Sequence, residues 1–339
     1  MAMVEERLEL ITRNLQEVIG EDELKGLLKS KKEISVYWGT MPTGSISIAY
    51  FFPMLKIADF LKAGLRVKIL LADLHAALDG VPWNLVEKRY NYYEKAIATI
   101  FKTIGVDTKK FEFVKGSDFQ LAPEYMNDVL KLSVLSSVND ATRAASEAVK
   151  TAKTGNVKVS GLIYPLMQAL DEEYLKVNIQ FAGVDQRKIQ VFAREFLPKI
   201  GYNQRIELMS PMIRGLVGKQ MSSSIEATKI DLLDDEKKVI VKIKNAECAA
   251  GNSDNGIMAL LQYLIFGVKN NFIVERDEKY GGNLVYESYE KVESDFKSKK
   301  LHPLDLKNAV AKEINILLEN FRKDKKLKEL HKIAYPKNL

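Results

Sequence analysis

From residue 33 onward, short apolar runs alternate with longer stretches whose apolar residues recur every three to four positions. Residues 34–38 (Ile-Ser-Val-Tyr-Trp) read as a strand, a Gly/Pro turn follows, and a helix runs from about 51 to 62 with a stop at Gly64. Residues 67–72 form an apolar strand interrupted only by Lys68, the pattern of a parallel sheet buried on both faces. A long helix is predicted over 84–104, closed by Gly105, and a strand over 111–114. Helical spacing returns at 123–135, 141–153 and 162–174, then come a strand near 177–181, a helix from Asp185 with Asp185 as its N-cap, and a short strand near 206–209. Ahead of all this, Leu8, Leu10, Ile11, Leu15, Val18, Ile19, Leu24 and Leu27 stand at helical spacing and predict helix through 5–28.

Strand–helix alternation with right-handed crossovers builds an α/β, Rossmann-like doubly wound parallel sheet. After Leu233 the pattern turns to helices with lysine-rich faces and no convincing strands, which puts a domain boundary near residue 230. A length of 339 residues suits two domains, 1–230 and 231–339.

Composition narrows the classes without choosing one. An apolar content of 46% with 28% charged residues is that of an ordinary globular chain. No apolar run reaches the ~18 residues of a membrane span, and the amphipathic start at Met1-Ala2-Met3-Val4-Glu5-Glu6-Arg7 has no secretory apolar region. The lone Cys248 excludes an internal disulfide and suits a reducing, cytoplasmic setting; His75, His302 and His331 are too scattered in sequence for a histidine metal site, so no protein metal site is expected. A net charge of +6 permits nucleic-acid binding through counterion release but does not demand it.

Chemistry concentrates in five stretches. In Tyr37-Trp38-Gly39-Thr40-Met41-Pro42-Thr43-Gly44-Ser45-Ile46-Ser47-Ile48-Ala49-Tyr50, a strand passes through a Gly/Pro/Thr turn into a helix near residue 47. Small residues there let a phosphate approach backbone N–H groups, and Thr43 and Ser47 bring hydroxyl donors. Alone, this is equally the tight connection of any such sheet. Gly215-Leu216-Val217-Gly218-Lys219-Gln220-Met221-Ser222-Ser223-Ser224 has the chemistry of a mobile polyanion clamp, or of a solvated interdomain loop. Tyr164, Gln168 and Asp171 recur at i, i+4 and i+7, so one face of an apolar helix carries three polar groups that need partners. Gly183-Val184-Asp185-Gln186-Arg187-Lys188 ends a strand and opens a helix, its basic pair serving a ligand or simply solvent. Tyr280, on the Gly281-Gly282 turn beside Arg276 and Lys279, can stack an unpaired base or close a hairpin-like turn.

Taken together and in order, these stretches resemble the class I aminoacyl-tRNA synthetases of the tyrosyl type. The likeness runs from about Leu8 to the end, and Ile11-Thr12-Arg13-Asn14-Leu15-Gln16-Glu17-Val18 and Asp171-Glu172-Glu173-Tyr174-Leu175-Lys176-Val177 are similar to its animal and fungal cytosolic form. The resemblance implies a tyrosine-tRNA ligase with a catalytic domain over 1–230 and a helical anticodon-recognition domain over 231–339. It also implies ATP with Mg2+ as cosubstrate, tRNA-Tyr as acceptor and a homodimer through an insertion at about 120–155. Gly39, Thr43, Gly44, Ser47, Tyr50, Met221 and Ser222 would hold ATP, with Thr43, Ser47, Lys219, Gln220, Ser222 and Ser223 at the reaction centre. In the tyrosine pocket, Tyr164 and Gln168 would hold the ammonium group, Gln186 would border the polar end, and Tyr37 and Asp171 would take the phenolic hydroxyl. Such a pocket rejects phenylalanine because its polar groups would be left unpaired, an argument for which a tyrosyl enzyme is a standing example.

Towards tRNA, Arg187 and Lys188 would face the acceptor stem, Tyr280 would stack the first anticodon base and Asp305 would read its edge. The segment Gly116-Ser117-Asp118-Phe119-Gln120-Leu121 also resembles sequence near the pocket, and reads equally as a strand-to-helix loop. No counterpart of the C-terminal extension of some animal members is expected. Two positions depart at the reaction centre: the family's histidine is Ser47 here and its motif lysine aligns with Gln220, one residue after Lys219. Nearby, Asn178 and Ala182 stand where Asp and Gly are usual. Those departures leave open a catalytically silent paralogue that binds tyrosine, tRNA or a protein, and an adenylate-forming ligase with another acceptor.

Overall fold

Six strands carry the first part of the chain: β1 (Glu17–Ile19), β2 (Ser35–Thr40), β3 (Arg66–Leu71), β4 (Phe111–Lys115), β5 (Ile179–Gly183) and β6 (Ile206–Ser210). They form one sheet in the order β1-β6-β5-β2-β3-β4. All neighbours are parallel except β1, which lies antiparallel on β6. The computed structural model describes residues 2–30, 32–149, 157–219, 221 and 225–336. On β2, Val36, Tyr37 and Trp38 are all buried because both faces of the sheet are covered, and Trp38 sits in register with Ile69 of β3 and Phe181 of β5. The chain winds outward from β2 to β3 and β4, then crosses back to β5 and β6. The reversal therefore lies between β2 and β5, where the carboxyl ends of the strands leave room for a ligand.

The helices are α1 (Ala2–Thr12), α2 (Glu21–Lys29), α3 (Phe51–Lys62), α4 (Asp73–Leu78), α5 (Trp83–Thr103), α6 (Pro123–Leu135), α7 (Val138–Ala145), α8 (Val159–Tyr174) and α9 (Arg187–Phe196). Next come α10 (Glu236–Asn245) and α11 (Gly256–Leu260), which continues through a π turn (Leu261–Ile265) into a last turn (Phe266–Val268). Then follow α12 (Tyr289–Lys297), α13 (Pro303–Lys323) and α14 (Lys325–Ala334). Proline at the first helical position opens α6, and a reciprocal Ser137–Asp140 capping box opens α7.

By packing, the chain divides into two units. The first comprises Met1–Thr43, Lys56–Glu94 and Asp107–Met212 and holds the sheet. Its apolar interior joins α6, α7, α8 and α9 through Tyr125, Leu132, Ala145, Leu170, Phe192 and Phe196, while Phe60 of α3 meets Phe181 of β5 edge-on at 5.2 Å. The second comprises Gly44–Leu55, Lys95–Val106 and Ile213–Leu339. It is mainly helical, with Phe51 against Phe321 and Phe52 against Tyr263, both edge-on at about 6 Å.

Three expectations are corrected. Residues 5–28 are not one helix: α1 stops at Thr12, Asn14 and Gly20 take positive φ (60° and 90°), and β1 lies between them. Pairing with β6 wins over helical spacing here, Gln16 N donating to Met209 O at 2.8 Å. The helical unit does contain strands, β7 (Phe272–Val274) and β8 (Leu284–Tyr286), too short to show a period of two. Asp185 is not a cap; it sits inside a 3-10 turn (Val184–Gln186) that precedes α9. Part of the expected 141–153 helix falls on residues outside the described ones.

Candidate functional site

Tyr37 from β2, Tyr164, Gln168 and Asp171 from α8, and Gln186 after β5 all belong to the first unit, beside the point where the strand order reverses. Asp171 is 1% exposed. Its Oδ1 accepts from Gln120 Nε2 (2.7 Å) and from Tyr125 Oη (2.9 Å), the latter also donating to Met167 O. Burial, opposed by those two hydrogen bonds, raises the Asp171 carboxyl to about 7. His75, on α4, lies 3.9 Å from Asp171 Oδ2 and edge-on to Tyr164 at 4.6 Å between ring centres. Burial pulls this imidazole down to about 4, so it stands neutral beside the carboxylate. Gly116 is tied to the same wall, since a Cβ there would meet Gln120 Oε1 at 2.6 Å and Asp73 Oδ1 at 2.8 Å.

Behind Tyr37 a second polar layer is fully buried. Hydrogen bonding orients the Gln180 amide so that its nitrogen donates to Glu172 Oε1 (2.5 Å) and Glu207 Oε2 (3.3 Å), while its oxygen accepts from Tyr37 Oη (2.8 Å). Burial raises both carboxyls well above the usual range, against the pull of Arg205 and Arg194. At the other end, Tyr164 Oη meets Met41 Sδ at 3.1 Å, Gln168 Nε2 donates to Gln186 Oε1 (3.3 Å), and Gln186 Nε2 to Asp185 Oδ2 (3.2 Å). Sequence reading missed His75, Gln120, Tyr125, Gln180, Glu172 and Glu207. Gln120 and Glu172 lay in segments singled out there, without a role assigned to either; the others carry no local signal.

Gly39 is exposed, and the Thr43 carbonyl accepts from Arg89 Nη1 (2.6 Å), a contact the sequence did not announce. In the second unit, Ser47 is buried and caps a 3-10 turn (Ile48–Tyr50), its Oγ accepting from Ala49 N at 3.4 Å. The two motif stretches meet in this unit, with Ser47 Oγ 3.9 Å from Met221 Sδ. Tyr50 is half-buried and Lys219 exposed, next to Gly218 at φ 74°. Gln220, Ser222 and Ser223 lie outside the described residues.

The same unit ties this loop to α14: Tyr335 Oη donates to Gly44 O (2.7 Å), and His331 Nε2 is 3.0 Å from Ser45 Oγ. Tyr335→Phe is expected to speed amide exchange over 44–47 by about threefold to tenfold, the worth of one hydrogen bond, with global stability nearly unchanged. Hydrogen-exchange mass spectrometry checks it.

The basic residues are engaged with acids. Arg187 makes a two-point pair with Glu17 (2.7 and 2.8 Å), and Lys188 meets Glu147 at 2.8 Å and Ser146 Oγ at 3.0 Å. Tyr280 is 66% exposed on its turn, with Lys279 Nζ 5.0 Å from the ring centre. Asp305 is half-buried in the first turn of α13.

Comparison with known proteins agrees with this geometry. The family model for tRNA synthetases class I (W and Y) matches residues 29–319. The chain is 50% identical over 338 residues to the cytoplasmic tyrosine–tRNA ligase of Gallus gallus, covering 98% of this chain and 64% of that protein. Against the cytoplasmic tyrosine–tRNA ligase of Saccharomyces cerevisiae it is 47% identical over 344 residues, covering 96% and 87%. It thus spans less than two thirds of the length of the vertebrate relatives. A crystal structure of tyrosyl-tRNA synthetase with L-tyrosine from Archaeoglobus fulgidus superposes with a TM-score of 0.88 at 40% identity, covering 94% of this chain and 99% of that one. The α/β sheet, its polar pocket and these likenesses together place the chain in the class I tRNA synthetases (W and Y), among the tyrosyl members of archaeal and eukaryotic cytosolic type.

Proposed function

We propose that the chain is a tyrosine–tRNA ligase, which joins tyrosine to ATP as tyrosyl-adenylate and passes the tyrosyl group to the 3′ end of tRNA-Tyr. The observation that carries the reading is Asp171, a fully buried carboxyl held by Gln120 and Tyr125, with Tyr37 as the second hydroxyl partner. Burying that charge is costly, and a ligand hydroxyl is what makes the arrangement useful. Tyr164, Gln168 and Gln186 take the amino-acid end. Gly39, Thr43, Gly44, Ser47, Tyr50, Met221 and Ser222 take ATP, whose phosphates carry Mg2+. Thr43, Ser47, Lys219, Gln220, Ser222 and Ser223 serve the transferring phosphate through charge and positioning, with no covalent enzyme intermediate.

For tRNA, Arg187 and Lys188 exchange Glu17 and Glu147 for backbone phosphates, and Tyr280 and Asp305 meet the anticodon. Residues 1–230 act in activation and 231–339 in anticodon recognition. No described helix is long and apolar enough to cross a membrane; like its relatives named cytoplasmic, the chain works in the cytoplasm. ATP–pyrophosphate exchange and charging of a tRNA-Tyr transcript test the function. Tyrosine-dependent exchange and charging are expected, and their absence sinks it.

The second reading, a silent tyrosine- or tRNA-binding paralogue, is favoured by one observation: where the family has an imidazole, Ser47 stands buried, its oxygen accepting from Ala49 N as a turn cap. Calorimetric tyrosine binding without exchange would select it.

We also infer a homodimer through α6. Met126, Leu130 and Val134 form an exposed stripe at spacings of four (39%, 62% and 85% exposed), flanked by Leu121, Leu135 and Val138. A second copy presenting the same stripe covers it. Leu130→Asp with Val134→Asp is expected to weaken self-association at least about 100-fold, since two apolar side chains per copy lose their burial. Sedimentation velocity should then find monomers where the parent is dimeric.

A further inference from the structure

The fully buried layer behind Tyr37 dictates which way its proton points. Glu172 and Glu207 are 0% exposed and share one neighbour, the Gln180 amide. The contacts at 2.5 and 3.3 Å put the amide nitrogen on the two acids, where an amide oxygen would meet a lone pair of whichever acid is ionised. The Gln180 oxygen is left to Tyr37, whose single O–H is spent at 2.8 Å on it. Burial and the surrounding carboxylates keep Tyr37 a neutral phenol, so only lone pairs remain for the pocket. Asp171 is likewise an acceptor: its Oδ1 serves Gln120 and Tyr125, and among the described residues its Oδ2 takes no hydrogen bond. A ligand phenol has one proton, so it gives a full hydrogen bond to only one of two acceptors, just as Tyr125 divides its single proton between Asp171 Oδ1 and Met167 O.

We propose that the hydroxyl end of this pocket presents two acceptors, Tyr37 Oη and Asp171 Oδ2, so that tyrosine enters together with one proton bound by Asp171, whereas a para-amino side chain, with two N–H donors, enters without one. The inference rests on the tyrosine-site reading above. The balance is simple: buffer gives a proton to Asp171 Oδ2, the resulting O–H donates to the ligand oxygen, and the ligand O–H donates to Tyr37. The titratable groups around Asp171 are His75 of α4, Tyr125 of α6, Tyr37 of β2, and Tyr164 and Glu172 of its own helix. His75 is neutral near pH 7, and none of the others brings a positive charge to hold the carboxylate.

Calorimetry of the full chain at pH 8, in phosphate and in Tris, separates proton uptake from intrinsic heat through the different ionisation enthalpies of the buffers. L-Tyrosine is expected to take up close to one proton and 4-amino-L-phenylalanine close to none. Tyrosine binding without uptake overturns the proposal while leaving the site reading standing. Failure of both ligands to bind overturns both. Asp171→Asn places a permanent donor where the proton would sit. It should bind tyrosine within about tenfold of the parent, without uptake, and lose 4-amino-L-phenylalanine by at least as much; a thousandfold loss of tyrosine affinity counts against the proposal. Glu172→Gln with Glu207→Gln frees the Gln180 amide to turn, and tyrosine uptake should fall well below one. If that double variant does not fold, the parent's two-ligand comparison still decides.

Discussion

Asp171→Ala is expected to lower kcat/KM for tyrosine in ATP–pyrophosphate exchange by about 10³–10⁴-fold and to abolish discrimination against phenylalanine. Among the described residues the carboxyl is the side-chain acceptor for Tyr125 Oη, and it holds Gln120 Nε2 at 2.7 Å. With alanine there, the Gln120 amide keeps His75 Nδ1, at 3.3 Å. Any bound phenol loses one of its two partners, and an unpaired buried polar group costs about 1–3 kcal/mol on each side of the contact. Tyr125 keeps the Met167 carbonyl, so the wall itself should stand. Stability should change by only a few degrees in melting temperature, removal of a buried charge offsetting part of the lost bonding. A fall in activity below tenfold would mean that the hydroxyl is read elsewhere.

Ser47→His combined with Gln220→Lys is expected to raise the exchange rate by about 10²-fold or more, since one donor aimed at developing phosphate charge is typically worth about 10²–10³. The gain has a structural cost. Ser47 is 6% exposed, caps the turn at Ile48–Tyr50 and pairs with Asp231 across an antiparallel bridge. An imidazole there either takes over the cap, as His302 Nδ1 does for Leu304 N at 3.2 Å, or forfeits about 1 kcal/mol, and it must displace Met221 from its contact at 3.9 Å. The variant should therefore be faster and melt lower. Single variants should each give part of the gain, and their sum need not equal the double. Unchanged rates in all three would mean that neither position limits the phosphate chemistry.

Periodicity carried much of the sheet and several helices. Helix α6 begins at Pro123 and ends at Leu135 as its spacing and proline require, and Gly64 and Gly105 close α3 and α5 with positive φ (78° and 74°). It failed where elements are three residues long: β1 owes its existence to β6, nearly two hundred positions away, and β7 to β8. The polar stripe was legible because Tyr164, Gln168 and Asp171 share one helix. Their partners were not, because Gln120, Tyr125 and His75 reach Asp171 or one another across 45–51 positions, and no local pattern records such a meeting. The Glu172–Gln180–Glu207 layer is the extreme case, since charged residues on apolar elements look like errors until their shared amide is seen.

The bonds from Tyr335 to Gly44 and from His331 to Ser45 span 291 and 286 positions. A ribosome exposes the Gly44 turn long before it adds residue 335. Until residues 331–335 are made the turn lacks these two holds, while the strands of the sheet, complete by Ser210, can already pair. A nascent chain stalled shortly before residue 331 has emerged should thus display a formed sheet and a loose turn at 44–45, which tightens only once residues 331–335 are out.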